Sequence, residues 1–173
     1  MHITACPAEH VTGCFIEGNA LISIGSPGQM WDIDEARWTA GVLRLGFDDI
    51  GVPELTRSSG QVLHGPTIEH IHAAIQFAKD AEREGVQRLV VHCRKGRSRS
   101  VGIALALLAA RRPPGEACQL ILQQAVLQER VMPNPLVIKH ADAVLGLGGK
   151  LDRAATELIP GYAPWKRWWS RPR

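Results

Sequence analysis

An α/β fold, with a central and mostly parallel sheet of four to five strands flanked by helices, is predicted by three features of this chain. Short apolar runs bounded by turn residues alternate with longer segments of helical periodicity. One of those segments starts at Arg99 or Ser100, continues through Ala110 and is apolar nearly all round, as a buried central helix would be. The compact run Arg88–His92 leads into that helix through a short loop, the order expected of a parallel sheet.

The elements follow in order. Ile3–Cys6 is a weak strand candidate. Ala20–Gly25 (ALISIG) is a second strand, closed by the turn signal Ser26-Pro27-Gly28. The segment between Trp31 and Ala40 allows a short helix. Val42–Phe47 alternates, with Leu43, Leu45 and Phe47 on one face. A helix is predicted from about Thr67 to Glu84, because Ile68, Ile71, Ile75 and Ala78 recur at helical spacing, Thr67 suits the N-cap and Gly85 stops it. After the Arg88–His92 strand and the buried helix, Arg111-Arg112-Pro113-Pro114 suits a helix C-terminus. Two more helices are read over about Glu116–Arg130 and Pro135–Leu145. Gly146–Gly149 (GLGG) reads as a linker, dividing a domain of residues 1–149 from a tail of residues 150–173.

A chain of 173 residues with 45% apolar and 21% charged content is long enough for one domain with a real core. Met1-His2-Ile3-Thr4 does not open a signal peptide, and the mostly apolar run Val101–Ala110 is far below the ~20 residues of a membrane span. Cys6, Cys14, Cys93 and Cys118 form no CxxC pair and have no His at zinc-finger spacing, so free thiols and a cytoplasmic setting are expected. His64, His70, His72 and His140 lack partners at metal spacing, and no metal or cofactor is expected. Net charge is +3, with four cations (Arg94, Lys95, Arg97, Arg99) inside six residues and four more (Lys166, Arg167, Arg171, Arg173) near the end. The remainder is acidic, which argues against nucleic acid as a partner.

The chemistry lies in His92-Cys93-Arg94-Lys95-Gly96-Arg97-Ser98-Arg99-Ser100. A cysteine just before a helix N-terminus, with loop N–H groups converging on it, is favoured as the thiolate, and the same N–H groups form an anion site. Gly96 lets the loop turn tightly, and Arg94, Lys95, Gly96, Arg97 and Ser98 surround the anion. Arg99 can grip two phosphate oxygens with its planar fork. The implied reaction has two steps. Cys93 attacks phosphorus, and water then hydrolyses the phosphocysteine. Ser100 can donate to the departing thiolate, and His92 positions Cys93 rather than titrating.

The stretch HCRKGRSRS resembles the HCxxGxxRS signature of the cysteine-based tyrosine and dual-specificity phosphatases, and most closely the compact bacterial members of the dual-specificity kind. The resemblance covers roughly residues 20–147 and includes Arg130…Pro133-Asn134, similar to a downstream Arg…Pro-Asn element of that group. It implies a mostly parallel sheet flanked by helices and an aspartate general acid on a loop before the cysteine. Phe47-Asp48-Asp49 resembles the Phe-Asp-Asp of regenerating-liver phosphatases, which makes Asp49 the expected acid, with Asp48 the alternative and Glu54, Glu69 or no acid at all behind them. Asp49 lies 44 residues before Cys93, further than in most compact relatives, and the excess sits in Gly51–Gly65, read as a lid or an insertion.

Phosphotyrosine, alone or with phosphoserine and phosphothreonine in proteins, is the expected substrate. Lysines stand at the first and fourth loop positions of the tensin-type lipid phosphatases, where this chain has Arg94 and Arg97. Phosphoinositides or inositol polyphosphates are therefore the alternative. A catalytically dead phosphate-binding module is the third reading. The Trp/Arg-rich tail either packs on its own domain, is disordered, or docks on a membrane surface or an acidic partner. Oligomeric state is left open. Trp31 and Trp38 are read as packing residues, and Cys6, Cys14 and Cys118 as buried small apolar ones.

Overall fold

The computed structural model describes residues 1–13 and 16–171; the sequence reading of Cys14 falls outside these residues. Strand β1 (His2–Pro7) is followed by the short helix α1 (Ala8–Thr12), β2 (Ala20–Gly25) and β3 (Val42–Gly46). A hairpin of β4 (Glu54–Thr56) and β5 (Val62–His64) comes next, then α2 (Ile68–Arg83), β6 (Arg88–Cys93) and α3 (Arg99–Ala109). The chain finishes with α4 (Pro114–Gln124), α5 (Pro135–Val144), α6 (Lys150–Leu158) and α7 (Tyr162–Trp169).

The central sheet has the order β1-β6-β2-β3 and all its strands are parallel. Its register places Pro7 beside Cys93, Ser23 beside His92 and Gly25 beside Gly46, so the carboxyl ends of the four strands share one edge. Loops that bind ligands in open α/β sheets gather at that edge. The main core lies between one sheet face and α2 to α6. Every residue of α3 is buried, as its all-round apolar sequence requires. The other face is covered by a smaller cluster in which Val11, Ile33 and Trp38 pack on Cys6, Leu21 and Val90. Among the described residues, no helix is long and apolar enough to cross a membrane.

The short helix α1 is not predicted; the predicted elements otherwise match closely, with four differences. The α4 helix stops at Gln124 rather than continuing to Arg130, because Ala125 turns extended and the Val126 N–H donates to the Ala5 carbonyl at 2.8 Å. The Trp31–Ala40 segment contributes a single 3₁₀ turn, Glu35–Arg37, with Asp34 as its cap. Gly51–Gly65 holds the β4–β5 hairpin, pinned at its base where the Asp48 N–H donates to the His64 carbonyl at 2.7 Å. The segment after Gly149 packs on the domain as α6 and α7. The buried carboxylate of Asp142 draws α6 in by accepting from the N–H groups of Gly149, Leu151 and Asp152. The fully buried Tyr162 donates its hydroxyl to Asp152 at 2.7 Å, and Lys166 pairs with the same carboxylate.

Candidate active site

Cys93 ends β6 and Arg99 begins α3, so the five residues between them must turn within one tight loop at the sheet edge. Gly96 permits the turn. Its φ is +64°, and a Cβ there would lie 2.3 Å from the Pro7 nitrogen and 2.6 Å from the Cys6 carbonyl carbon, so any side chain would have to displace the end of β1. On the far side, the carbonyls of Arg97 and Ser98 accept from the N–H groups of Met132 and Asn134 at 2.9 and 3.2 Å. Because C=O and the following N–H of a trans peptide point oppositely, the N–H groups of Ser98 and Arg99 face away from that segment. No side chain caps the start of α3, whose N-terminus remains available to an anion.

The Cys93 sulfur is buried, 3.2 Å from the Ser100 hydroxyl. Arg99 is only 7% exposed. Its Nη1 donates to the carbonyls of Gly25 and Phe47, at 3.1 and 2.8 Å, which fixes the guanidinium between the ends of β2 and β3. Its Nε is buried and donates to nothing among the described residues. An arginine held by one nitrogen, with its Nε edge unspent, is suited to take two oxygens of an oxyanion.

The two aspartates divide their work. Asp48 is buried, and its Oδ2 accepts from the His64 N–H at 2.9 Å, so it is committed to the hairpin. Asp49 is exposed to the cleft. Its Oδ1 accepts from Ser98 Oγ at 2.7 Å and from Asn134 Nδ2 at 3.0 Å. Both donors hold the same oxygen, Oδ1. Ser98, read from sequence as a phosphate-loop residue, thus also ties that loop to the carboxylate. Asn134 was not among the sequence-selected site residues. It is fully buried and caps α5 by accepting from the N–H groups of Leu136 and Val137, while its Nδ2 also donates to the Ile50 carbonyl. Its sequence signals are the Pro133-Asn134 element of the resemblance and an N-cap residue just before Pro135.

His92 is fully buried, with Nε2 2.8 Å from Ser23 Oγ and the Trp31 ring 6.0 Å away. Burial, with the nearby charges of Arg44 and Arg99, lowers its pKa from 6.5 to about 4, so the imidazole is neutral at neutral pH. A buried base with a depressed folded pKa stabilises the fold fully above pH 6.5, and loses that contribution as pH falls towards 4 because the unfolded chain binds the proton first. Stability is expected to drop by up to about 3 kcal/mol over this window. Urea midpoints of the wild type and of His92→Asn at pH 7 and 4.5 check this. An equal acid loss in the variant would contradict it.

Cys93, Arg94, Lys95, Arg97, Ser98 and Arg99 share a cleft of about 570 Å³ with Asp48, Asp49 and Met132. Its outer wall contains Leu55, Arg57 and Leu63 of the hairpin segment and Trp165, Trp168 and Trp169 of α7, none of which the sequence assigned to the site. Arg57, Arg94, Lys95 and Arg97 line the cleft and form no ion pair among the described residues. Cys6 and Cys118 are buried, and burial pushes both thiols up to about 12. The described residues contain no group of three or more His, Cys, Asp or Glu able to hold a metal.

The same architecture occurs in known structures. Human DUSP28 superposes with a TM-score of 0.60 at 17% identity, over 84% of this chain and 94% of its own. PTPMT1 in complex with PI(5)P gives 0.52 at 21% identity, over 85% and 86%. The chain has the fold of the tyrosine and dual-specificity phosphatases. The human tyrosine phosphatase-like serine/threonine/tyrosine-interacting protein shares this phosphatase fold, with a TM-score of 0.57 at 13% identity over 83% of this chain and 87% of its own. In sequence, the family described as the Rit1 DUSP-like domain matches residues 66–127, which span α2, β6, the Cys93 loop, α3 and α4 of the phosphatase fold. No curated protein matches the chain.

Proposed function

We propose that this chain hydrolyses phosphate monoesters through a phosphocysteine intermediate, acting on phosphotyrosine, alone or together with phosphoserine and phosphothreonine, in proteins. One observation carries the reading: a buried cysteine, an arginine with an unspent Nε edge and an exposed aspartate line the same cleft at the carboxyl edge of a parallel sheet. The phosphoryl group sits on the loop, with its oxygens on the N–H groups and Arg99. The Cys93 thiolate attacks phosphorus. The S–P bond forms, the P–O bond to the leaving group breaks, and that oxygen takes the proton from Asp49. Water then attacks phosphorus and gives a proton to Asp49. The S–P bond breaks, phosphate departs, and the thiolate accepts a hydrogen bond from Ser100. His92 acts as a neutral positioning residue. A cytoplasmic setting, where thiols stay reduced, suits Cys93.

A phosphoinositide or inositol polyphosphate substrate is the second reading, favoured by the four cations at the cleft, because additional phosphates would meet additional charge. Parallel assays on phosphotyrosine peptides and a phosphoinositide panel separate the two. A dead phosphate-binding module would bind phosphate and turn nothing over.

The acid assignment has its own test. Asp49→Asn is expected to slow phosphotyrosine hydrolysis roughly 10²- to 10³-fold. Hydrolysis of an ester whose phenol is acidic enough to leave unprotonated should slow far less. Measured kcat values across aryl phosphates of graded phenol acidity would show this as a steeper dependence on the leaving group. An unchanged slope would remove Asp49 from the mechanism.

A further inference from the structure

The reaction scheme uses only one side of the cleft. The opposite side is built from the β4–β5 hairpin and α7, segments far apart in the sequence. Trp165, Trp168 and Trp169, three of the five tryptophans in the chain, face the hairpin residues Leu55 and Leu63 beside the phosphate loop. Trp169 is buried in a small cluster with Ile50 and Leu63. Gly51 makes this possible, since a Cβ there would lie 2.4 Å from Trp169 Cγ. Trp165 and Trp168 lie nearly parallel, 10° apart with centroids separated by 5.3 Å, and Trp169 meets Trp168 edge-on at 4.6 Å. Trp168 is 44% exposed, the largest exposure among the described large apolar side chains. The wall is fixed from behind, because Tyr162 and Lys166 both hold Asp152 of α6.

We propose that α7 and the β4–β5 hairpin form a leaving-group subsite that selects aryl over alkyl phosphate esters, with Trp168 as its specificity-determining residue. The inference rests on the reading of the cleft as a phosphate-monoester site. With phosphate on the Cys93 loop, the leaving group occupies the rest of the cleft, which the indoles line; an aryl ester offers them a flat ring, and a serine ester a single methylene. A flat ring gains offset or edge-on contact with an indole, and the indole is already held, so little ordering entropy is spent on binding. The orientation of the tryptophans argues against a membrane anchor. Trp169 is buried and Trp165 half-buried, and both line the cleft instead of pointing outward together. The cations of the loop rim lie across the same cleft, which suits acidic residues flanking an aryl phosphate.

Two measurements test the subsite. First, kcat/KM is compared for phenyl phosphate and a simple alkyl phosphate in the wild type, Trp168→Ala, Trp168→Phe and Gly51→Ala. The aryl-to-alkyl ratio is expected to fall roughly three- to tenfold in Trp168→Ala and to recover in Trp168→Phe. In Gly51→Ala, where Trp169 must move, the ratio should fall as well. Second, Cys93→Ser is titrated with phosphotyrosine and with phosphoserine while tryptophan emission is followed. Phosphotyrosine should quench it more at equal occupancy, and Trp168→Ala in that background should abolish the difference. Equal losses for aryl and alkyl esters, an unmoved ratio, or an effect confined to substrates carried in lipid vesicles would each overturn the subsite. Absence of any Cys93-dependent hydrolysis would instead overturn the reading of the cleft as a hydrolytic site. The titration would then still decide whether the indoles hold an aryl ring.

Discussion

Replacing Cys93 by serine is expected to lower hydrolysis of any aryl phosphate by on the order of 10⁴-fold or more, because a serine hydroxyl here has no base to activate it. Binding should survive. The loop N–H groups and Arg99, whose Nη1 remains on the Gly25 and Phe47 carbonyls, do not depend on the sulfur. No other described thiol can substitute. Cys6 belongs to the cluster on the opposite sheet face, and its own proton is held up to about 12 by burial. Cys118 sits within α4, equally buried, and is pushed up to the same value. The measurements are steady-state hydrolysis of an aryl phosphate and calorimetric titration with phosphotyrosine. Acid-quenched wild-type enzyme should also yield a phosphorylated peptide containing Cys93, and with an ester whose phenol leaves unprotonated the amount should rise in Asp49→Asn, where only the second step is then slowed. Residual turnover within tenfold of the wild type would make water, not sulfur, the first nucleophile.

The parts of this site that are contiguous in sequence were legible in it, because strand, loop and helix are local and their periodicities differ. Cys93, Gly96 and Arg99 needed nothing else. The contacts that hold Asp49 were not legible, since Ser98 and Asn134 reach it across 49 and 85 residues. The long spacing between Asp49 and Cys93, a departure when read linearly, has a structural origin. The hairpin leaves after Asp48 and returns at His64, which bonds both the backbone and the side chain of Asp48, so the excursion adds length while Asp49 stays in the cleft. Its strands are three residues each, too short for alternation to register. The indole wall was hidden for a different reason. Gly146, Gly148 and Gly149 read as a linker, yet their positive φ values shape an ordered turn that Asp142 closes through the Gly149 N–H. Composition alone could not tell that turn from a flexible joint.

Arg99→Lys separates charge from geometry at the phosphate. Both side chains are cations, but a lysine has one nitrogen where Arg99 has three. In the wild type those nitrogens are divided, with Nη1 on two main-chain carbonyls and Nε left for the ligand. A lysine ammonium at this buried position must choose. If it stays on the carbonyls of Gly25 and Phe47, the transferring group loses a two-pronged partner. If it turns to the phosphate, two buried carbonyls lose their donor, at about 1–3 kcal/mol for each group left unsatisfied. Either way kcat/KM is expected to fall roughly 10³-fold, because charge spread over the equatorial oxygens of the transition state is no longer matched by a planar fork. Inhibition by inorganic phosphate should weaken less than catalysis, since the lysine retains its charge and the loop its N–H groups. Comparing the two losses is the decisive measurement. If they were equal, Arg99 would act as a point charge in the ground state and transition state alike, and its fork geometry would have no part in the chemistry.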